Sequence, residues 1–202
     1  MSGIPSSAAS FERTVGIFGG SFNPPHIAHV LAVQFALSAW PLGKIMVIPN
    51  FQHPLGKESA SFEHRFRMAV LAFETLGSCV EVSRIEEELG GQSFTIDTVR
   101  ELKRRNPGKE FRLILGSDLL RETHEWKDFE QLKVEAPPLI IPRLEVGGSA
   151  KVHKKAAFEK EQFYLPELSS SEIRGLIKTG ADPGLRLPYA VMSYIKSQNL
   201  YL

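Results

Sequence analysis

The chain has 202 residues, a length suited to one α/β domain. Hydrophobic residues make up 43% and charged residues 23%, which is ordinary for a soluble globular protein and excludes a disordered or fibrous chain. A net charge of +1 gives no basic footprint for nucleic acid and no acidic tail.

One cysteine, Cys79, cannot form an internal disulfide, which fits a reducing compartment. It opens an apolar run and is expected to be a small buried core residue. The first ten residues lack the charged and apolar regions of a signal peptide. Residues 1–12 therefore read as a flexible leader and residues 13–202 as a single domain. No apolar run approaches membrane-spanning length, so the expectation is a cytoplasmic protein without membrane contact.

Residues 14–18 read as a first strand and residues 26 to about 40 as a first helix, stopped by Pro41-Leu42-Gly43. That helix carries an apolar pattern through Ile27, Val30, Leu31, Val33, Phe35, Ala36 and Leu37. Lys44–Pro49 is a second strand, with Ile45, Met46, Val47 and Ile48 continuous as in a strand buried on both faces. A polar loop carries His53, Pro54, Gly56 and Lys57. A helix from 62 to about 76 follows, with Phe66, Met68, Ala69, Leu71, Ala72 and Phe73 available for its core face. Residues 80–83 are a third strand, and Gly90-Gly91 breaks the segment after it. Thr95–Arg105 is helical, with Ile96, Val99 and Leu102 on one stripe. Lys103-Arg104-Arg105 falls in its last turn, where cations complement the helix dipole.

Residues 111–115 are a fourth strand ending in Gly116-Ser117-Asp118. A short helix and a loop carry Trp126, and a helix covers about 128–133. Residues 139–141 are a fifth strand, 143–160 a mobile loop and 163–165 a sixth strand. Helices at about 170–179 and 188–198 close the chain. Alternation of strand and helix predicts a doubly wound parallel sheet, a Rossmann-like α/β fold with C-terminal helices. Its ligands would lie beyond the carboxyl ends of the strands.

The stretch Val15-Gly16-Ile17-Phe18-Gly19-Gly20-Ser21-Phe22-Asn23-Pro24-Pro25-His26-Ile27-Ala28-His29 is a strand, a tight loop and a helix start. Such a unit brings bare backbone N–H groups and a helix N-terminus up to an anion. Gly19 and Gly20 lack Cβ and permit close approach and unusual φ. His26 and His29 share one face of the helix's first turn. The spacing is neither the dinucleotide fingerprint nor a P-loop. Gly-Gly-Ser-Phe-Asn-Pro followed by two histidines resembles the (H/T)-x-G-H motif of the nucleotidyltransferase superfamily. Among its members the string resembles bacterial nicotinate mononucleotide adenylyltransferases. Further matches follow in order: Ser93-Phe94-Thr95-x-x-Thr98, Gly116-Ser117-Asp118, Trp126, Leu168-Ser169-Ser170-Ser171-Glu172-Ile173-Arg174, and the ending from Leu187-Pro188 to Leu200-Tyr201.

The residues also carry readings of their own. Ser169 and Glu172 have capping-box spacing, and the helix start with Arg174 nearby suits a phosphate chain. Asp118 can accept bonds from ribose hydroxyls or cap a helix. Trp126, among polar residues, is a satellite core residue or a stacking platform. Lys57 is a solvated lysine or a ligand of the mononucleotide phosphate.

The resemblance implies adenylyl transfer from ATP to nicotinate mononucleotide. It implies His26, His29 and Arg174 as catalytic donors. Gly19, Gly20, Ser21, Phe22, Gly116, Asp118, Ser169, Ser170 and Ser171 would join them around ATP. Ser21, Lys57, Phe94, Thr95 and Trp126 would surround the mononucleotide, with the pyridine on the indole. Phe94 stands where the family has Tyr, so that hydroxyl is absent. Mg²⁺ would arrive on the ATP phosphates, since His-x-x-His lacks the Cys or carboxylate to complete a zinc set. Alternative acceptors are nicotinamide mononucleotide and pantetheine phosphate. Ala28, in place of the motif's Gly, supports a different alternative, a catalytically silent nucleotide binder. The sequence leaves oligomeric state open, including a homo-oligomer.

Overall fold

The computed structural model describes residues 13–52, 60–92, 94–142 and 165–202. Among the described residues five strands form one parallel sheet: β1 (Thr14–Gly20), β2 (Lys44–Pro49), β3 (Val80–Val82), β4 (Glu110–Gly116) and β5 (Pro138–Ile141). Their order is β3-β2-β1-β4-β5. The helices are α1 (Ile27–Ala39), α2 (Phe62–Phe73), α3 (Ile85–Leu89), α4 (Thr95–Arg105), α5 (Phe129–Glu135), α6 (Ser170–Lys178) and α7 (Tyr189–Ser197).

The period-2 alternation of the strands gives the sheet two buried faces. Phe18, Ile45, Val47 and Ile114 point to one, where they meet α1, α2, α6 and α7. Val15, Ile17, Ile48, Phe111, Leu113 and Leu115 point to the other, against α3, α4 and α5. The expected doubly wound α/β architecture is therefore present. Gly16 fits between the central strands because a Cβ there would lie 2.8 Å from Ile114 Cδ1. The chain winds from β1 to β3 in one direction, then returns to β4 beside β1. The carboxyl ends of β1 and β4 flank this switch point, where an open α/β sheet leaves a crevice.

Several expectations need correction. Cys79 is exposed, in a 3₁₀ turn (Glu74–Cys79) before the edge strand, and is not a core residue. The helix after Phe62 ends at Phe73, sooner than expected. Its core face includes a charged residue, Arg65, while Phe66 and Leu71 are only half-buried. The short α3 was not anticipated; its three consecutive glutamates conceal one core residue, Ile85. The buried face of α1 consists of Ala28, Ala32, Val33 and Ala36, and Leu31 is exposed. Two 3₁₀ turns, Ser117–Arg121 and Thr123–Glu125, precede Trp126. Leu165 N–H donates to Pro142 O at 3.3 Å; the rest of the sixth strand, the leader and the 143–160 loop lie outside the described residues. Among the described residues no helix is long and apolar enough to cross a membrane.

Candidate active site

The loop after β1 is the centre of the site. Gly19 is exposed at the strand end, where a Cβ would meet only the Ile48 carbonyl, at 4.0 Å. Its backbone thus lies open to the crevice. The unusual φ expected of the glycines falls instead on Phe22, at 47°. A left-handed non-glycine costs roughly 1–2 kcal/mol. Burial of a Phe side chain offsets that, at about 1.5–3 kcal/mol. Phe22 is 1% exposed and packs against Phe18, His29 and Phe73 at ring separations of 5.8, 5.2 and 5.9 Å.

His26 caps α1 from an extended backbone and is 2% exposed, while His29 is half-buried. The His26 N–H donates to His29 Nδ1 at 3.1 Å. With Nδ1 accepting, a neutral His29 carries its proton on Nε2, so that nitrogen is a donor. The two rings stack at 3.7 Å with 29° between planes, so the pair does share one face. Ala28 between them is fully buried, and its methyl lies against protein.

The serine-rich start of α6 docks onto this loop. Ser169 caps the helix as expected, its Oγ accepting from Glu172 N–H at 3.1 Å. Ser170 Oγ donates to Pro24 O at 2.8 Å. Arg174 donates from Nη1 to Asn23 O at 2.7 Å and from Nη2 to Ser171 Oγ at 3.1 Å. The guanidinium and a set of helix N–H groups are thereby fixed beside the histidine loop, an arrangement suited to a polyphosphate.

A second group gathers on the other face of the sheet. Gly116 ends β4 and Asp118 is exposed in the following turn. Trp126 and Phe94 both pack on the cluster under α4, with Trp126 edge-on to Phe129 at 5.9 Å. Trp126 is thus part satellite core. It also remains half-exposed and lines a cleft of about 410 Å³ with His124, Phe129 and Lys133. Thr95 begins α4. Lys127, unremarked in the sequence, sits 4.7 Å over the Phe94 ring and pairs with Asp97 at 2.8 Å. Lys57 and Ser93 lie outside the described residues.

Two buried charged residues that the sequence reading missed brace these loops. Arg65, 4% exposed, donates to the carbonyls of Ala60, Ser21, Asn50 and Phe51 at 3.1, 2.9, 2.8 and 3.1 Å, and to Asn50 Oδ1. Burial lowers its pKa, while Tyr201 and Glu86 oppose that shift. Glu86 accepts from Phe51 N–H at 3.0 Å and from Thr98 Oγ1 at 3.2 Å, joining the loop after β2 to α4. A charged residue at a core-face position of α2, between Phe62 and Ala69, was the available signal for Arg65.

A family model described as cytidylyltransferase-like matches residues 17–176, which span both histidines and Arg174. The chain belongs to this family. The cytidylyltransferase-like chain is 33% identical over 188 residues to a Myxococcus xanthus protein named a probable nicotinate-nucleotide adenylyltransferase, covering 93% of this chain and 94% of that one. It is 34% identical over 192 residues to an Anaeromyxobacter dehalogenans protein of the same name, covering 94% and 97%. Its fold is similar to that of Plasmodium falciparum nicotinic acid mononucleotide adenylyltransferase complexed with NaAD. There the TM-score is 0.77 at 24% identity, covering 94% of this chain and 97% of that one. The resemblance read from the motifs is borne out by these relatives.

Proposed function

We propose that this protein transfers the adenylyl group of ATP to nicotinate mononucleotide, forming deamido-NAD and pyrophosphate. The observation that carries the proposal is the docking of Arg174 and the α6 start onto the loop of His26 and His29. Relatives named for this activity across nearly the whole chain support the choice of substrates.

In this reading a phosphate oxygen of the mononucleotide attacks the α-phosphorus of ATP. A P–O bond forms in line with the bond to the bridging oxygen, which breaks, and pyrophosphate leaves with the electron pair. The attacking oxygen is already ionised, so no general base is needed. The protein's task is positioning and stabilisation of charge on the phosphates. His29 would donate from Nε2, Arg174 from its fork, and Ser169, Ser170 and Ser171 from the helix start. His26, implied by the resemblance as a further donor, is 2% exposed in the stack, and its role would instead be to hold His29 through its backbone N–H. Gly19, Gly20 and Ser21 would line the nucleotide, and Gly116 and Asp118 the adenosine; Phe22, expected among them, is buried and would support the loop from beneath. Among the described residues no group of three or more His, Cys, Asp or Glu is placed to hold a metal. Mg²⁺ would enter on the ATP phosphates, where it would neutralise charge.

On the acceptor side, Trp126 would stack the pyridine and Lys57 and Ser21 would meet its phosphate. Thr95, in the first turn of α4, would offer an N–H group to the nicotinate carboxylate beside Phe94. An anion at a helix start is favoured over a neutral amide. The test is pyrophosphate release and product analysis with Mg-ATP and, separately, nicotinate mononucleotide, nicotinamide mononucleotide and phosphopantetheine. Deamido-NAD from the first, with the highest kcat/KM, is the expected result. Turnover only with phosphopantetheine, or none with any acceptor, rejects the proposal.

A further inference from the structure

Asn23 is a junction. Its carbonyl accepts from Arg174, and its side-chain Oδ1 accepts from Ala60 N–H at 3.1 Å and from Tyr201 Oη at 2.7 Å. Tyr201 lies in the segment after α7, far from the crevice loops in sequence. That segment is tied to α7, where Leu200 N–H donates to Ile195 O at 3.0 Å, and α7 is tied to α2, where His64 Nδ1 and Tyr194 Oη are 2.9 Å apart. Tyr201 adopts φ of 66° and Asn199 φ of 51°. Asparagine enters the left-handed region readily, but a bulky residue such as Tyr201 persists there only where surrounding contacts enforce it. The enforced result is a half-buried phenol aimed at one side-chain oxygen.

We infer that Tyr201 is a positioning residue for adenylyl transfer. Its hydroxyl fixes Asn23, and through Asn23 it sets both Arg174 and the loop leading into His26. Ala60 extends the link. Its N–H meets Asn23 and its carbonyl meets Arg65, so the loop after β2 is registered against the loop after β1 at the same point. Burial holds the Tyr201 proton well above the usual phenol range, against the pull of Arg174 and Arg65, so the hydroxyl is a donor at any working pH. Tyr201 and Arg174 also line one cleft of about 570 Å³, with Ala60, Lys178 and Leu200. No bond from Tyr201 to substrate is required. Loss of the hydroxyl should release Asn23 without emptying the ring's packing site.

The inference rests on the proposed adenylyl transfer, and the experiment separates the two. Tyr201→Phe, Asn23→Leu and the double variant are compared with the parent protein in three readouts. These are steady-state kinetics, thermal midpoint, and hydrogen exchange of the peptide spanning residues 21–29. In Tyr201→Phe, kcat should fall about tenfold, since a small misplacement of the reacting groups is costly to rate. KM for both substrates should stay within about twofold, because the removed hydroxyl binds neither substrate. The thermal midpoint should hold and exchange in residues 21–29 should quicken. In the Asn23→Leu background the same change should have almost no further effect on kcat, because the hydroxyl acts through Asn23. Unchanged kcat and unchanged exchange in Tyr201→Phe overturn the inference while leaving the proposed function intact. Equal losses from Tyr201→Phe in both backgrounds overturn the route through Asn23. A parent protein that makes no deamido-NAD removes the catalytic role, and quickened exchange would then retain only the structural link.

Discussion

Arg174 Nη1 lies 2.7 Å from the carbonyl oxygen of Asn23, so one arm of the guanidinium is committed to the histidine loop before any nucleotide arrives. A second arm meets Ser171. This fork needs a planar group with several fixed donors. A lysine keeps the charge but has a single compact head. Arg174→Lys should therefore lower kcat/KM for ATP by about tenfold or more, the usual cost of one charge-assisted bond or so. The thermal midpoint should move little, and a calorimetric titration with a non-hydrolysable ATP analogue should show weakened binding. Parental kinetics in this variant would show that charge alone suffices.

The two histidines should separate by readout. His29 is half-buried and presents Nε2 as a donor, so His29→Ala should lose on the order of 10²–10³ in kcat. His26 is enclosed, so His26→Ala should in addition lower the melting temperature. If His29→Ala melts early but keeps its turnover, the ring is a packing residue.

Trp126→Ala should raise KM for the mononucleotide with little change for ATP. Loss of a base-stacking aromatic costs roughly 1–3 kcal/mol. Because Trp126 also packs against Phe129, a modest drop in thermal midpoint should accompany the change. Equal rises in both KM values would speak against a pyridine platform.

Arg65→Ala should be the most destabilising single change considered. It leaves the carbonyls of Ala60, Ser21, Asn50 and Phe51 without the donor they share. Breaking a buried charged network of this kind costs on the order of 3–5 kcal/mol, readable in urea denaturation. A midpoint close to the parent's would mean that water replaces the guanidinium easily.

Ala28→Gly restores the residue usual in the motif. The methyl is fully buried against protein, so its removal should relieve nothing in the crevice. The helix should lose about 1 kcal/mol, and kcat/KM for ATP should change by less than about tenfold. A much larger gain would identify the native residue as an impairment and revive a silent-binder reading.

Local patterns carried much of this fold into view. The stripe of Ile96, Val99 and Leu102 on α4 is buried as its spacing required. The apolar runs of β2 and β4 are buried strands. In α1 the pattern could not select a face, because apolar residues surround the helix. Packing chose the small side chains Ala28, Ala32 and Ala36, which let it lie close to its neighbours. Cys79 was misjudged because hydrophobicity cannot tell an edge turn from the strand it introduces. In the site, the histidine pair and the Ser169 cap depend on residues three apart and were legible. Arg65 and Glu86 act through backbone groups and Tyr201 through the Asn23 side chain, all distant in sequence, and no local spacing announces those bonds.

The junction at Asn23 also bears on when the site can come into existence. Its partners Arg174 and Tyr201 lie 151 and 178 residues further along the chain. During synthesis at about 5–20 residues per second, the histidine loop waits on the order of ten to thirty seconds for the groups that hold it. The closure entropy over such a span grows only logarithmically, so once those residues emerge the contact is not prohibitive. Until then a nascent chain can pair its first two strands and still lack a braced polyphosphate cradle. Competence arrives only once the segment after α7 is translated, and a chain cut short before Tyr201 would retain the motif without its brace.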